Sequence, residues 1–384
     1  MSSPLRTRHP VKFLYTAWFV ASLPLRLLAT LVYYLPSATR SSRTYRQAVA
    51  TKLVQLWITF ATAVEFRKPP SLEPGADKSR FVLLDPDQID PSNASQVGVL
   101  TVDPAIRPAP IAGFWYESPP PPDETPALTV LHFHGGAFVL GGARPADAGC
   151  GPLALSRRLE CPVLMPEYRL SNSRDRTACF PAALQDSVTA YTYLLNTLRM
   201  RPEDVVLSGD SAGGNLVLAL LRYLEDPEGG KKARLPLPRA ALLWGPWVNL
   251  DVPGSQMDRH RNIPTDFIFG ALGDWGVRCY VPGGWDVHHQ HYAYVAPLGR
   301  ELFTKVPLFV QTGTGEVLYD SHVEFAQNAR EKGCKVELVE IPKAPHDTFL
   351  GGDFLGFGDE QEDAIDQAAK VVEEGGRRLE SSAA

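Results

Sequence analysis

The sequence predicts an α/β fold: a mostly parallel sheet with helices on both faces. Three observations carry this. Strand-length apolar runs alternate with helical patterns from Leu128 to Ile341, and such alternation builds βαβ units with right-handed crossovers. The strand runs are continuously apolar, as in a sheet covered on both faces. One strand, Val205 to Ser208, passes through a glycine-rich turn straight into the helical pattern Ala212 to Leu224.

The elements follow in order. Phe13 to Leu25 and Leu27 to Thr39 are uncharged runs of 13 residues each, with Pro24 and Arg26 at their junction. Each is short of the ~20 residues a spanning helix needs. Joined, they are long enough, with a central charge that costs about 2.5–3.5 kcal/mol on insertion. Arg6, Arg8 and Lys12 precede the segment, and Arg40, Arg43 and Arg46 follow it, so charge sets no orientation. Four readings stay open: a membrane anchor over residues 11–39, helices folded over the body as part of a lid, a signal peptide cleaved near Val20-Ala21-Ser22, and a mitochondrial presequence. The sequon Asn93-Ala94-Ser95 matters only on the secretory route.

Thr51 to Phe66 carries Leu53, Leu56, Trp57, Phe60 and Val64 at helical spacing, and Pro69, Pro70 and Pro74 end it. Phe81 to Leu84, Val97 to Val102 and Ile111 to Tyr116 read as short strands, and Pro119 to Pro122 as a loop. Leu128 to Phe133, Cys161 to Met165, Val205 to Ser208, Ala240 to Trp244, Leu308 to Thr312 and Val336 to Ile341 supply the main strands. Ala146 to Leu159, Ala182 to Leu198, Ala212 to Leu224 and Ser321 to Lys332 supply helices between them. Asn249 to Arg300 is too long for a plain connection and is expected to form helices of its own.

Composition narrows the function. The 384 residues carry 38 Lys+Arg against 43 Asp+Glu, a net charge of -5, which gives no support to a nucleic-acid binder, since that needs a basic face. Apolar residues at 44% exclude a disordered chain. Pro, 34 residues or about 9%, exceeds the usual ~5% and argues against a pure helix bundle. Five scattered cysteines without a CxxC pair exclude a zinc ribbon and a dense disulfide framework; they read as structural thiols.

Gly209-Asp210-Ser211-Ala212-Gly213-Gly214 has the strand–turn–helix form of a GxSxG nucleophile elbow. Ser211 must sit strained at its tip, with small flanks that let strand and helix approach. His134-Gly135-Gly136-Ala137-Phe138, directly after a strand, has the form of the oxyanion loop that partners such an elbow. Gly135 and Gly136 are expected to donate N–H groups there, with the N–H of Ala212 completing the hole. His134 is expected to support the loop rather than act as base, with Asp210 and Tyr168 as further supports.

These two motifs resemble those of the hormone-sensitive-lipase-like branch of the α/β-hydrolase superfamily. Glu167-Tyr168-Arg169-Leu170 and Phe180-Pro181-Ala182-Ala183-Leu184-Gln185-Asp186 are similar to its intervening motifs. Its usual Asp-Tyr-Arg-Leu-Ala-Pro-Glu differs here at Glu167 and at Ser171-Asn172-Ser173. The resemblance covers roughly residues 97–350. It implies an eight-stranded α/β-hydrolase sheet with a helical lid and a triad in the order Ser, acid, His. His346 lies after the last expected strand, where that fold presents its base. Glu316 and Asp320 both follow the strand Leu308 to Thr312. The family pattern Gly-x-x-Asp-x-Leu-x-Asp puts Glu316 in the acid's place, and Asp320 is expected to cap the next helix. The expected site is therefore Ser211, Glu316 and His346 with no cofactor and no metal. His288, His289 and His291 lack the carboxylates or cysteines that would complete a metal site.

The resemblance further implies a lid made from the N-terminal residues and the insertion, so the chain divides into 1–75, N-terminal apolar helices, and 76–384, the catalytic domain with an insertion at about 249–300. Trp247 is a candidate pocket residue or a core aromatic. Trp275, Tyr280 and Trp285 are candidates to face an apolar substrate. The apolar start is similar to that of arylacetamide deacetylases and steryl acetyl hydrolases, membrane-anchored enzymes of the endoplasmic reticulum, and to fungal members; a cytoplasmic location is the alternative. The expected activity is hydrolysis of a short-acyl ester of a hydrophobic small molecule. An amide or lactam hydrolase or an intramolecular acyl transferase shares the same acyl-enzyme. A receptor on an inactive scaffold is the rival outside enzymes; the joint presence of Ser211, a carboxylate and His346 argues against it.

Overall fold

The computed structural model describes residues 5–35, 43–92, 94–121, 124–172 and 174–383. Asn93 of the sequon, Pro122 of the proline loop, Ser173 and the end of the second apolar run lie outside the described residues.

Eight strands form one sheet: β1 Phe81–Leu84, β2 Ile111–Tyr116, β3 Thr129–Phe133, β4 Val163–Pro166, β5 Val205–Asp210, β6 Ala240–Trp244, β7 Leu308–Gly313 and β8 Val336–Ile341. Their order is β1-β2-β4-β3-β5-β6-β7-β8. β1 and β2 pair antiparallel, β2 pairs antiparallel with β4, and every later pair is parallel. β2 to β7 are buried throughout, while β8, at the edge, alternates buried and partly exposed residues. Continuous apolar strands in the middle and a patterned strand at the rim follow from helices covering both faces of the centre.

The longer helices are α1 Val11–Tyr34, α2 Tyr45–Val64, α3 Gly151–Leu159, α4 Ala182–Thr192, α5 Ala212–Glu225, α6 Gly270–Tyr280, α7 Tyr319–Glu331, α8 Thr348–Leu355 and α9 Gly358–Ala383. The two apolar N-terminal runs form the single helix α1, which continues through Pro24. The Arg26 guanidinium bonds Ser22 at 2.9 Å and lies 4.7 Å over the Trp18 ring, so its charge is not bare. α1 packs on α2 through Phe19 and Phe60, whose rings are 4.8 Å apart, yet Phe13 and Leu25 stay 66% and 71% exposed. α2 opens with a capping box, Thr44 accepting from the Gln47 N–H.

Two expected elements differ. Val97 to Val102 is not a strand but a short 3-10 turn, Gly98–Thr101; Gly98 has φ +61°, and the sheet edge it would occupy is taken by β1. The helix expected from Ala146 begins only at Gly151. The insertion holds α6, a short helix at Gly254–Met257 and 3-10 turns. α9 went unread in the sequence, although Ala364, Ile365, Ala368 and Val372 are buried at helical spacing.

Candidate active site

Three loops converge at the C-terminal ends of the parallel strands. The turn after β5 carries Ser211, the loop after β7 carries Glu316, and the loop after β8 carries His346. Ser211 has φ 52° and ψ -115°, a conformation worth about 1–3 kcal/mol of strain. The glycines around it make this turn fit. A Cβ on Gly213 would lie 1.9 Å from the Phe133 carbonyl oxygen, and one on Gly209 would lie 2.4 Å from the Gly213 backbone.

His346 Nε2 lies 2.9 Å from Ser211 Oγ, and His346 Nδ1 lies 2.7 Å from Glu316 Oε2. Glu316 is fully buried and its other oxygen accepts from the Gly313 N–H at 2.6 Å and the Thr312 hydroxyl at 2.7 Å. Burial would raise its carboxyl, but His322 and His346 outweigh that and hold it below the ordinary carboxylate range. Burial would likewise depress the His346 imidazole; Glu316, with Asp266, outweighs it and raises the group. The arrangement can relay a proton from a serine hydroxyl through an imidazole held in one tautomer.

Asp320 lies elsewhere. Half-exposed, it pairs with Arg261 and His260 on the surface. Nor is it the cap of α7, a place taken by Leu318.

The oxyanion loop follows β3. Gly135 departs from expectation: its N–H already donates to Asp210 Oδ2 at 2.7 Å, so it is spent on holding the loop. The N–H groups of Gly136, at φ +107°, and of Ala212, the first residue of α5, carry no such bond among those described. His134 Nδ1 donates to the Gly135 carbonyl at 2.7 Å and its ring stacks on Tyr168 at 4.3 Å, while the Tyr168 hydroxyl donates to the His134 carbonyl. Burial lowers His134 to about 4, so it is neutral. Asp210 also contacts His132 Nε2 at 3.0 Å. Asp347 keeps its proton, raised by burial and by the charge of Asp210, and donates it to Asp210.

Sequence reasoning missed a clamp on the back of the site. Asp266, from the insertion, is buried and accepts from the His346 N–H at 3.0 Å and the Val317 N–H at 2.6 Å. Asn262 donates to the carbonyls of Thr314 and Glu316, and Thr265 to that of Gly315. Arg43, just before α2, donates to the carbonyls of Lys343 and Thr265. No spacing in the sequence announces these contacts, because they join segments 50 to 300 residues apart through backbone atoms.

A cavity of about 510 Å³ opens above Ser211. Leu53, Trp57 and Phe66 line one side, and Met257, Phe267, Ile268 and Leu272 from the insertion line the other. Trp247 is both pocket and core: it lines this cavity while 4% exposed. Trp275, Tyr280 and Trp285 do not line it. Tyr280 instead stacks on Phe138 of the oxyanion loop at 3.6 Å, and Trp285 stacks on His289 at 3.8 Å. Among the described residues no cluster of three or more His, Cys, Asp or Glu is placed to hold a metal.

A family model described as an alpha/beta hydrolase fold matches residues 130–350, more than half of the chain, and the chain belongs to that family. An acetyl-hydrolase of Streptomyces hygroscopicus is 33% identical over 218 residues, covering 57% of this chain and 67% of the relative. An arylesterase of Saccharolobus solfataricus is 29% identical over 233 residues, covering 58% and 68%. The chain thus spans about two thirds of the length of these relatives. A hormone-sensitive lipase from a metagenome library has a similar structure, with a TM-score of 0.54 and 25% identity, covering 69% of this chain and 82% of that one. An esterase of the bacterial hormone-sensitive lipase family has the same fold, with a TM-score of 0.59 and 23% identity over 88% of this chain and 99% of that one. Within the family the protein falls in the hormone-sensitive-lipase-like branch, and it is a serine carboxylic ester hydrolase.

Proposed function

We propose that the protein cleaves short-acyl esters of hydrophobic small molecules through Ser211, His346 and Glu316. One observation carries the reading: the unbroken contacts Ser211–His346–Glu316, at 2.9 and 2.7 Å, under an apolar cavity of about 510 Å³. His346 Nε2 takes the Ser211 proton as Oγ attacks the ester carbonyl. Glu316 fixes the imidazole tautomer and stabilises the imidazolium. The N–H groups of Gly136 and Ala212 hold the oxyanion, each worth about 10²–10³ in turnover. The tetrahedral intermediate collapses; His346 returns the proton to the departing alkoxide, leaving the acyl group on Ser211. His346 then activates water, and the acid leaves.

The acetyl-hydrolase among the relatives supports a small acyl group. The aromatic and aliphatic walls support an apolar alcohol portion. In this reading α2 and the insertion together form the lid. α1, with an apolar window of mean hydropathy 1.4 that is 11% buried, is the membrane anchor. The test is Ser211→Ala assayed on p-nitrophenyl butyrate. Turnover should vanish, with it the labelling by a fluorophosphonate probe, while the melting temperature stays put. Undiminished turnover in the folded variant would remove Ser211 from the mechanism.

A further inference from the structure

We infer that His322 is a positioning residue for Glu316, gripping it through the Thr312 hydroxyl and carrying the positive charge that balances it. The inference rests on the triad reading above. His322 and Thr312 are, like Glu316, completely buried. Thr312 belongs to β7 and His322 to the first turns of α7, so the acid is held from a strand and from a helix at once.

Proton counting along this chain of contacts is restrictive. His322 Nε2 lies 2.7 Å from the Pro246 carbonyl oxygen, which can only accept, so Nε2 carries a proton. Three donors converge on the two oxygens of Glu316: His346 Nδ1, the Gly313 N–H and the Thr312 hydroxyl. That pattern is the coordination of an ionised carboxylate. It also spends the single Thr312 proton on Glu316. The remaining contact, His322 Nδ1 to Thr312 Oγ1 at 2.8 Å, is then a hydrogen bond only if Nδ1 donates. Both ring nitrogens therefore carry protons. The ring is an imidazolium whose Nδ1 stands 3.5 Å from Glu316 Oε1.

The electrostatic consequence concerns His346. A carboxylate in a fully buried site needs a compensating cation. His346 cannot be that cation and still be free to accept the Ser211 proton. With His322 charged, Glu316 is balanced from behind, and its pull on the His346 proton in front is weakened. The titratable groups facing His346 are Glu316 on the acid loop, Asp266 on the insertion, Asp347 beside it and Asp210 at the end of β5. Glu316 is the titratable group that touches His322 among the described residues.

The experiment compares His322→Gln, Thr312→Val and Thr312→Ser with the wild type. Removing the cation should let the full Glu316 charge act on His346. The acid limb of kcat/KM against pH should then move up by about one unit, with kcat at neutral pH down roughly tenfold and KM little changed. Thr312→Val, which cuts the chain but keeps both ends, should shift the limb in the same direction; Thr312→Ser, which keeps the hydroxyl, should leave the limb near its original place. In 15N-resolved spectra of the wild type at neutral pH, His322 should show two protonated ring nitrogens. One bare nitrogen overturns the inference, as does an unmoved acid limb in both His322→Gln and Thr312→Val. Should His322→Gln fail to fold, the Thr312 pair and the spectrum decide. Glu316→Gln separates the two readings: full turnover in that variant would defeat the triad itself, whereas lost turnover beside an unmoved limb in the others would defeat only His322.

Discussion

Ser211, His346 and Glu316 come from three loops spread over more than a hundred residues, and each loop is tied down by bonds to backbone atoms. Two outcomes belong at this scale. Glu316→Gln should lower kcat by up to about 10⁴-fold, since the amide presents the wrong partner to the imidazole. Asp320→Asn, which disturbs only a surface ion pair with Arg261, should change it by less than about threefold. Steady-state kinetics on p-nitrophenyl butyrate reads both, and the reverse order would hand the role to Asp320. The second outcome concerns pH. Glu316 raises the His346 imidazole above its ordinary 6.5, so less of the neutral base is present at low pH. The acid limb of kcat/KM should accordingly lie above pH 6.5, giving an alkaline optimum. A limb at or below that value would contradict the raised imidazole. The sign for stability runs the same way: the contribution of a raised histidine is full below its unfolded value and fades as pH climbs through the folded one.

At the level of elements, the elbow is the least forgiving part. A methyl group on Gly213 would collide with the Phe133 carbonyl, in the strand that launches the oxyanion loop. Gly213→Ala should therefore cost about 3 kcal/mol or more, read as a lowered denaturation midpoint or as insoluble protein. A variant with unchanged stability would mean that α5 and β3 can separate. Much of this scale was legible in the residues. The central strands announce themselves because both faces are covered, so Val205 to Ser208 and Ala240 to Trp244 are apolar without interruption. The elbow and the oxyanion loop are local in sequence, and so they can be read. Val97 to Val102 misled because an apolar run says that a segment is buried, not that a sheet has a place for it. Asp266 and His322 were invisible because their partners are backbone groups or lie on other elements. The spending of the Gly135 N–H on Asp210 was hidden for the same reason: it depends on how β3 and β5 pair, not on the loop's own glycines.

Across the whole molecule, the exposed apolar face of α1 stands apart from an otherwise ordinary surface. Its Phe13, Trp18, Leu25 and Leu28 are all more than half exposed, whereas Phe19 turns inward to Phe60. If that face meets lipid, replacing these four residues by Ser should release the protein from membranes on carbonate washing while esterase turnover persists. Complete release of the unaltered chain would reject a spanning α1.

Asn262, Thr265 and Asp266 bear on a different question, that of access. A cover stitched by its own hydrogen bonds to the loops of Glu316 and His346 cannot swing aside like a hinged door. Lifting it would break the bonds that hold the loops of Glu316 and His346. If that segment stays put, an ester has to enter along the half-exposed part of the cavity wall, which includes Trp57 and Phe354. Selectivity then falls to the width of that entrance, with no latch to release.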